Sequence, residues 1–146
     1  MIVIERFNPA TEVESHFKEK IVDFLFHNLE EYGDPKSDIQ EAMKYALSDE
    51  PNKGGFIISA KVDSEIVGAV VVNETGMTKY IPENILVYIA IDVAQRGKGI
   101  GKQLMIEAMA TAKGSIALHV EPDNPAKKLY EKLGFTNKYL EMRYTK

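Results

Sequence analysis

The stretch Ile85–Gly101 reads ILVYIAIDVAQRGKGIG. Seven apolar residues, Ile85 to Ile91, end at Asp92 and pass directly into a basic turn rich in glycine. The seven are mostly β-branched or aromatic and show no polar alternation, the pattern of a strand covered on both faces and therefore central in its sheet. Beyond the turn, Ile100, Leu104, Met105, Ala108 and Met109 recur at helical spacing. The glycines thus lie between a buried strand and the start of a helix. There, unpaired backbone N–H groups and the positive end of the helix dipole favour an anion such as phosphate.

The spacing of the loop excludes the two common nucleotide loops. A Walker loop needs GxxxxGK followed by Ser or Thr, but the residue five before Gly101 is Arg96, and Lys102 is followed by Gln103. A dinucleotide GxGxxG fails as well, because Gly97 and Gly99 lead to Lys102 while Gly99 and Gly101 lead to Leu104. What fits is RxxGxG, written by Arg96, Gly99 and Gly101. Taken alone, such a loop reads first as a tight turn that is rich in glycine for geometric reasons.

Downstream, Lys113 and Gly114 close the helix, and Ser115–Val120 reads as a strand. A helix separates this strand from the central one, as in a right-handed crossover, so the two should be parallel. The segment EPDNPAKKLYEKLGF predicts a helix punctuated at both ends, with Asn124 as N-cap, Pro125 at the first position and Gly134 past the end. Ala126, Leu129, Tyr130 and Leu133 make its inward stripe. Phe135–Tyr144 reads as a last strand or strand pair.

Upstream, Phe56–Val62 and Ile66–Val72 flank KVDSE as a hairpin, and Asn73–Pro82 reads as an exposed loop. Ile2, Val3, Ile4 and Phe7 predict a strand near a sheet edge. Val13, Phe17, Ile21, Phe24 and Leu25 predict a helix with Thr11 as N-cap and Glu14 completing a capping box. Ile39, Ala42, Met43, Ala46 and Leu47 predict a second helix after the YGDPKSD turn. This order predicts one α/β (α+β) domain over 1–146: a mixed, mostly antiparallel sheet with a parallel central strand pair and helices on both faces.

Composition narrows the function. The chain has 146 residues, 45% apolar and 27% charged, the balance of a globular domain. Its net charge of −4 argues against a general nucleic-acid binder, which needs a basic surface, and permits a cationic or amine substrate. With no cysteine there is no disulfide, thiolate metal site or cysteine nucleophile. His16 and His27 lack a partnered cluster and read as surface or packing residues, so no metal site is expected. No stretch approaches the roughly 20 apolar residues of a membrane span, and MIVIERF turns charged too early for a secretory signal. A cytoplasmic protein without a membrane partner is the expectation, and the pattern is compatible with a homodimer.

Two motifs in order, Arg96–Gly101 and Asn124–Phe135 (NPAKKLYEKLGF), resemble the GNAT family of N-acetyltransferases. The resemblance covers about Ile57–Arg143. It implies that acetyl-CoA is the cosubstrate and that the central strand and the next one splay apart to hold its pantetheine arm. It also implies that Ile91 and Val93 offer backbone contacts to that arm and that Arg96, Gly97, Lys98, Gly99, Ile100 and Gly101 hold the pyrophosphate. Val93 stands where a proline is common in the family. Asn124 and Ala126 correspond to positions near the cofactor arm. Tyr130 corresponds to a tyrosine beside the sulfur, a candidate general acid with an ordinary pKa of about 10; by spacing alone it is a core residue on an apolar stripe.

The implied reaction is transfer of an acetyl group to an amine of a small molecule or a protein. The alternative is a non-catalytic acyl-CoA-binding or sensor module. Many family members carry a glutamate on the central strand, whereas Ile85–Ile91 holds no carboxylate. The candidate bases are Glu83, before that strand, and Glu121 beside His119, after the next one; each also reads as a surface or structural residue. Lys98, Lys102, Lys127 and Lys128 can add positive charge near the phosphates.

Overall fold

The computed structural model describes residues 1–146. The chain runs β1 (Ile2–Phe7), α1 (Ser15–Leu29), α2 (Lys36–Ala46), β2 (Gly55–Val62), β3 (Glu65–Glu74), β4 (Asn84–Ile91), α3 (Ile100–Thr111), β5 (Ile116–Leu118) and α4 (Ala126–Lys132). Short 3-10 turns occupy Glu30–Tyr32 and Val93–Gln95. One sheet of order β1-β2-β3-β4-β5 results, antiparallel from β1 to β4 and parallel between β4 and β5. This is the mixed sheet that the sequence predicts, with β1 at an edge. The hairpin between β2 and β3 turns on Asp63 and Ser64, whose φ values of 50° and 67° give the primed geometry that matches strand twist.

Both faces of the sheet are covered, which explains why the central run is apolar throughout. On one face Ile21, Leu25, Ile39 and Met43 from α1 and α2 pack on Ile57, Val71, Tyr88 and Ala90. On the other, Ile100, Leu104, Met105 and Ala108 from α3, with Tyr130 from α4, pack on Ile58, Val70, Val72 and Leu86. The α3 layer sits tightly on β3, since a Cβ at Gly68 would lie 2.6 Å from Leu104 Cδ1.

A bulge in β4 shapes the site. Val71 pairs with Tyr88 and Val72 with Leu86, so Val87 has no partner on β3. The extra residue switches the side-chain parity of the strand. Leu86 before it and Ile89 and Ile91 after it therefore all face α3. β5 pairs with β4 only at Asn84, Ile85 and Leu86, and the two strands part where the bulge begins.

Two expectations fail locally. Thr11 does not cap α1: Asn8 closes its own turn by accepting from Ala10 N at 2.8 Å and from Thr11 N at 2.9 Å, and Thr11 Oγ1 accepts from Asn8 N. The helix instead starts at Ser15 without a side-chain cap. An Asx turn competes for the same groups as an N-cap. Second, Phe135–Tyr144 is not a strand. It has strand-forming residues but no ladder, and strand propensity without backbone pairing does not make a strand.

Candidate functional site

The gap between β4 and β5 exposes backbone. Asp92 N donates to Val67 O at 2.9 Å, so the polar groups of Asp92, and by alternation those of Ala90, point towards β3. Those of Ile89 and Ile91 then point into the gap, where β5 no longer pairs with them. Ile91 is consistent with this, because its carbonyl accepts from Arg96 Nε at 3.3 Å.

The loop below the gap is built for close approach. Asp92 Oδ1 accepts from Ala94 N at 2.9 Å and starts the 3-10 turn. Gly97 and Gly99 follow with φ of 81° and 84°, a left-handed conformation that side chains rarely adopt. A Cβ at either position would meet nothing within 4 Å, so the backbone there faces open space. Gly99 then caps α3, whose first N–H groups, those of Ile100, Gly101 and Lys102, lack intrahelical acceptors. This is a concave array of donors at the positive end of a helix.

Arg96 ties the loop to the end of α1. Its guanidinium donates to Asn28 O at 2.8 Å and to Glu30 Oε1 at 2.9 Å, while Nε holds Ile91 O. Asn28 completes the tie by donating to Phe24 O and accepting from Val93 N at 3.2 Å. Both strand-end groups, Ile91 O and Val93 N, are therefore engaged by side chains.

The opposite wall is α4 and the loop before it. Asn124 Oδ1 accepts from Ala126 N at 2.9 Å, which caps the helix from just before its first turn and leaves the side-chain amide nitrogen unpaired. Tyr130 is 7% exposed, its ring packs against Phe135, and its hydroxyl makes no hydrogen bond. Burial pushes that hydroxyl up to about 12, so it keeps its proton at neutral pH. Between the walls lies a cleft of about 450 Å³, lined among others by Tyr32, Ile89, Ile91, Gly99, Asn124 and Tyr130. At its mouth the Tyr32 hydroxyl is raised by desolvation and by the carboxylates of Asp123, Glu31, Glu121 and Glu30. Tyr88 is raised further, by burial and by its 2.6 Å hydrogen bond to Asp34, but it lies on the other face of the sheet.

Ile91, Arg96, Gly97, Gly99, Ile100, Gly101, Asn124, Ala126 and Tyr130 line this one cleft. Four predicted residues stand outside it. Val93 is half exposed beyond the strand end, and Lys98 Nζ turns to Gln95 Oε1 at 3.1 Å. Glu121 is exposed on the loop after β5. Glu83 lies at the far end of β4, where Oε1 accepts from Ser115 N at 2.8 Å. Its pKa falls below the ordinary carboxylate value because the Ser115 N–H, its own N–H and that of Lys79 stabilise the charge. Sequence reasoning named neither Asn28 nor Tyr32, and Glu30 only as one of several carboxylates that could attract a cation. For Asn28 a signal existed: it continues the inward stripe of Ile21 and Leu25 as a polar residue, and buried polar side chains mark places where backbone needs a partner. No group of three or more His, Asp or Glu side chains is placed to hold a metal.

A mixed sheet with a splayed parallel pair above a glycine loop and a helix N-terminus places the molecule in the class that the sequence resemblance implied. The acetyltransferase (GNAT) family profile matches residues 18–135, and the chain belongs to that family. Comparison with curated protein sequences finds no match. Among solved structures, the chain is similar to a transcriptional regulator from Bacillus halodurans C-125 (25% identity, TM-score 0.71, 99% of each chain covered). It is also similar in fold to a GNAT-family acetyltransferase from Streptococcus pneumoniae TIGR4 (17% identity, TM-score 0.69, 100% of this chain and 98% of that one). A third similar fold is an aminoglycoside N-acetyltransferase solved in complex with CoA (15% identity, TM-score 0.70, 100% and 96% covered).

Proposed function

We propose that this protein transfers an acetyl group from acetyl-CoA to an amine of a small molecule or protein. The observation that carries this reading is the pairing of two unsatisfied surfaces across one cleft: the free edge of β4 at Ile89 and the Ile91 N–H, and the unpartnered hydroxyl of the buried Tyr130. The edge fits an amide-bearing arm laid along it like an added strand. The Gly97–Lys102 backbone fits its phosphates. When bound, acetyl-CoA supplies a thioester activated towards amines.

The residues then divide the work. A gap-facing N–H of β4, at Ile89 or Ile91, donates to the carbonyl oxygen as it gains charge during attack. The neutral amine nitrogen forms its bond to the acyl carbon, the carbon–sulfur bond breaks, Tyr130 gives its proton to the departing sulfur, and the proton that the nitrogen then sheds restores the Tyr130 hydroxyl through water. Asn124 positions the arm with its free side-chain amide. No carboxylate of β4 reaches the cleft, so the amine loses its proton to water at the mouth, beside Tyr32. Glu83 acts as a clamp at the other end of the sheet and Glu121 as part of the acidic rim.

The test is a panel of small amines and peptide amines assayed for CoA release, alongside calorimetry with acetyl-CoA. Turnover with at least one amine supports transfer. Acetyl-CoA binding with no turnover on any of them supports the sensor module instead, and no binding removes both.

A further inference from the structure

The two segments that meet at the mouth of the cleft carry charge of one sign. Residues 29–35, LEEYGDP, hold three carboxylates and residues 120–126, VEPDNPA, hold two, with no lysine or arginine in either. They come from distant parts of the chain and meet where the Tyr32 hydroxyl approaches Asp123 O at 3.5 Å. Two of these carboxylates are already engaged, Glu30 by Arg96 at 2.9 Å and Asp34 by the Tyr88 hydroxyl at 2.6 Å. Glu31, Glu121 and Asp123 are exposed, and none of them is in an ion pair.

Tyr32 is fixed among them. Its turn starts at Glu30, whose φ of 54° is left-handed without being glycine, and the pair with Arg96 holds that conformation. Like charges brought together repel, and a cation between them relieves the repulsion. The Tyr32 ring offers a face to the same cation. Desolvation, and then these carboxylates, disfavour ionisation of the Tyr32 hydroxyl, as a negative potential at that point requires. A second feature opens on the same cleft from within: Tyr130 is 7% exposed and its hydroxyl has no hydrogen-bond partner.

A single amine does not suit both places. The nitrogen that attacks a thioester must be neutral, whereas unpaired carboxylates hold an amine protonated. An acceptor with two amines resolves the conflict. One stays charged at the rim, and its charge makes the other easier to deprotonate.

We propose, resting on the reading that this protein transfers an acetyl group, that the acceptor is a small aliphatic diamine or polyamine whose second ammonium sits against Tyr32 among Glu31, Glu121 and Asp123. The cleft of about 450 Å³ must also take the thioester end of the cosubstrate, which suits a slim, unbranched acceptor.

The test compares diaminobutane with pentylamine, a chain of the same length that ends in a methyl group instead of the second ammonium. Measured as CoA release at low salt, kcat/KM should be at least about tenfold higher for the diamine, through KM, and the advantage should shrink as salt rises. In Glu31→Gln/Glu121→Gln/Asp123→Asn, with the fold checked by a thermal melt, the two amines should come to parity. Equal kcat/KM for both amines in the parent overturns the proposal and leaves acetyl transfer standing. So does turnover of a basic peptide amine while diaminobutane is refused. A fall in kcat with both amines in the triple variant overturns it as well, since the rim then takes the proton instead of holding the substrate. Calorimetry of diaminobutane into the protein saturated with CoA reads the subsite without turnover. Binding that the triple variant loses, with no CoA release from any amine, keeps a cation site and removes transfer. Absence of binding beside turnover of pentylamine removes the cation site alone. Should the triple variant fail to fold, the two amines and the salt series on the parent decide.

Discussion

The two ends of the β4–β5 pair have opposite characters. At the N-terminal end the strands are fastened: Asn84 N donates to Ser115 O at 3.1 Å, its buried side chain donates to Lys113 O at 2.9 Å and Ser115 O at 3.2 Å, and Glu83 accepts from Ser115 N. A Cβ at Gly114 would sit 2.5 Å from Glu83 Oε1, so the turn there is closed against that carboxylate. At the C-terminal end, past the bulge at Val87, nothing joins the strands, and the space between them is the cleft. A gap of fixed width needs a hinge that does not move. At the closed end polar side chains fasten one strand to the other, whereas at the open end Arg96 and Asn28 hold only the end of β4 and the loop beyond it, and the gap is left with backbone N–H groups and the Tyr130 hydroxyl.

Breaking the open end should give the largest effect. Tyr130→Phe keeps the ring against Phe135 but removes the proton donor, so kcat with an accepted amine should fall about 10²- to 10⁴-fold while acetyl-CoA affinity changes little. Steady-state kinetics beside calorimetry checks this. An unchanged kcat returns Tyr130 to a packing role.

Breaking the closed end should act on stability instead. Asn84→Ala removes the donor to Lys113 O and the second donor to Ser115 O, which keeps the backbone N–H of residue 84, a cost of about 1–2 kcal/mol by the usual penalty for unmet polar groups. Thermal and urea melts read it. If the closed end sets the gap, acetyl-CoA affinity falls in the same variant; an intact affinity would mean that the bulge alone holds the strands apart.

A third variant addresses the loop below the gap. Gly99→Asp combines a left-handed φ with a negative charge facing open space, and should weaken acetyl-CoA by at least about tenfold, which corresponds to ~1.4 kcal/mol. Unaltered affinity in the folded variant would remove the loop from the phosphate site.

The smallest effect belongs to Glu83→Gln and depends on pH. The folded pKa of Glu83 lies below its ordinary 4.5, so its contribution to stability is present above that value and is lost as pH falls through the folded one. The variant should melt slightly below the parent at pH 7, and the two should converge towards pH 4 and below. A difference that does not shrink in acid would mean that the charge is not what fastens Ser115.

The central strand, the loop, the helix after it and the Asn124–Gly134 helix were legible in the sequence because each rests on local signals: a β-branched run, glycines, and Asn-Pro and Gly punctuation. Thr11 was misread for an equally local reason, a competing turn at Asn8. The contacts of Asn28, Glu30 and Tyr32 with the site were not legible, since these residues come from a helix end more than fifty residues away and meet it through Arg96, Val93 and Asp123.

By itself the sequence determined the order of elements, the mixed sheet and the chemistry of the glycine loop, because periodicity and turn residues act over a few positions. Tertiary structure alone decided the rest. The bulge at Val87 depends on register against β3, which no residue type encodes. The splay depends on that bulge together with the fastening at Asn84. Glu83 looked like a candidate base until Ser115 was brought to it, for a carboxylate's role is set by the donors around it and not by its place in the chain. The segment after Phe135 has strand-forming residues but forms no ladder, because a strand is defined by backbone pairing and not by residue type alone.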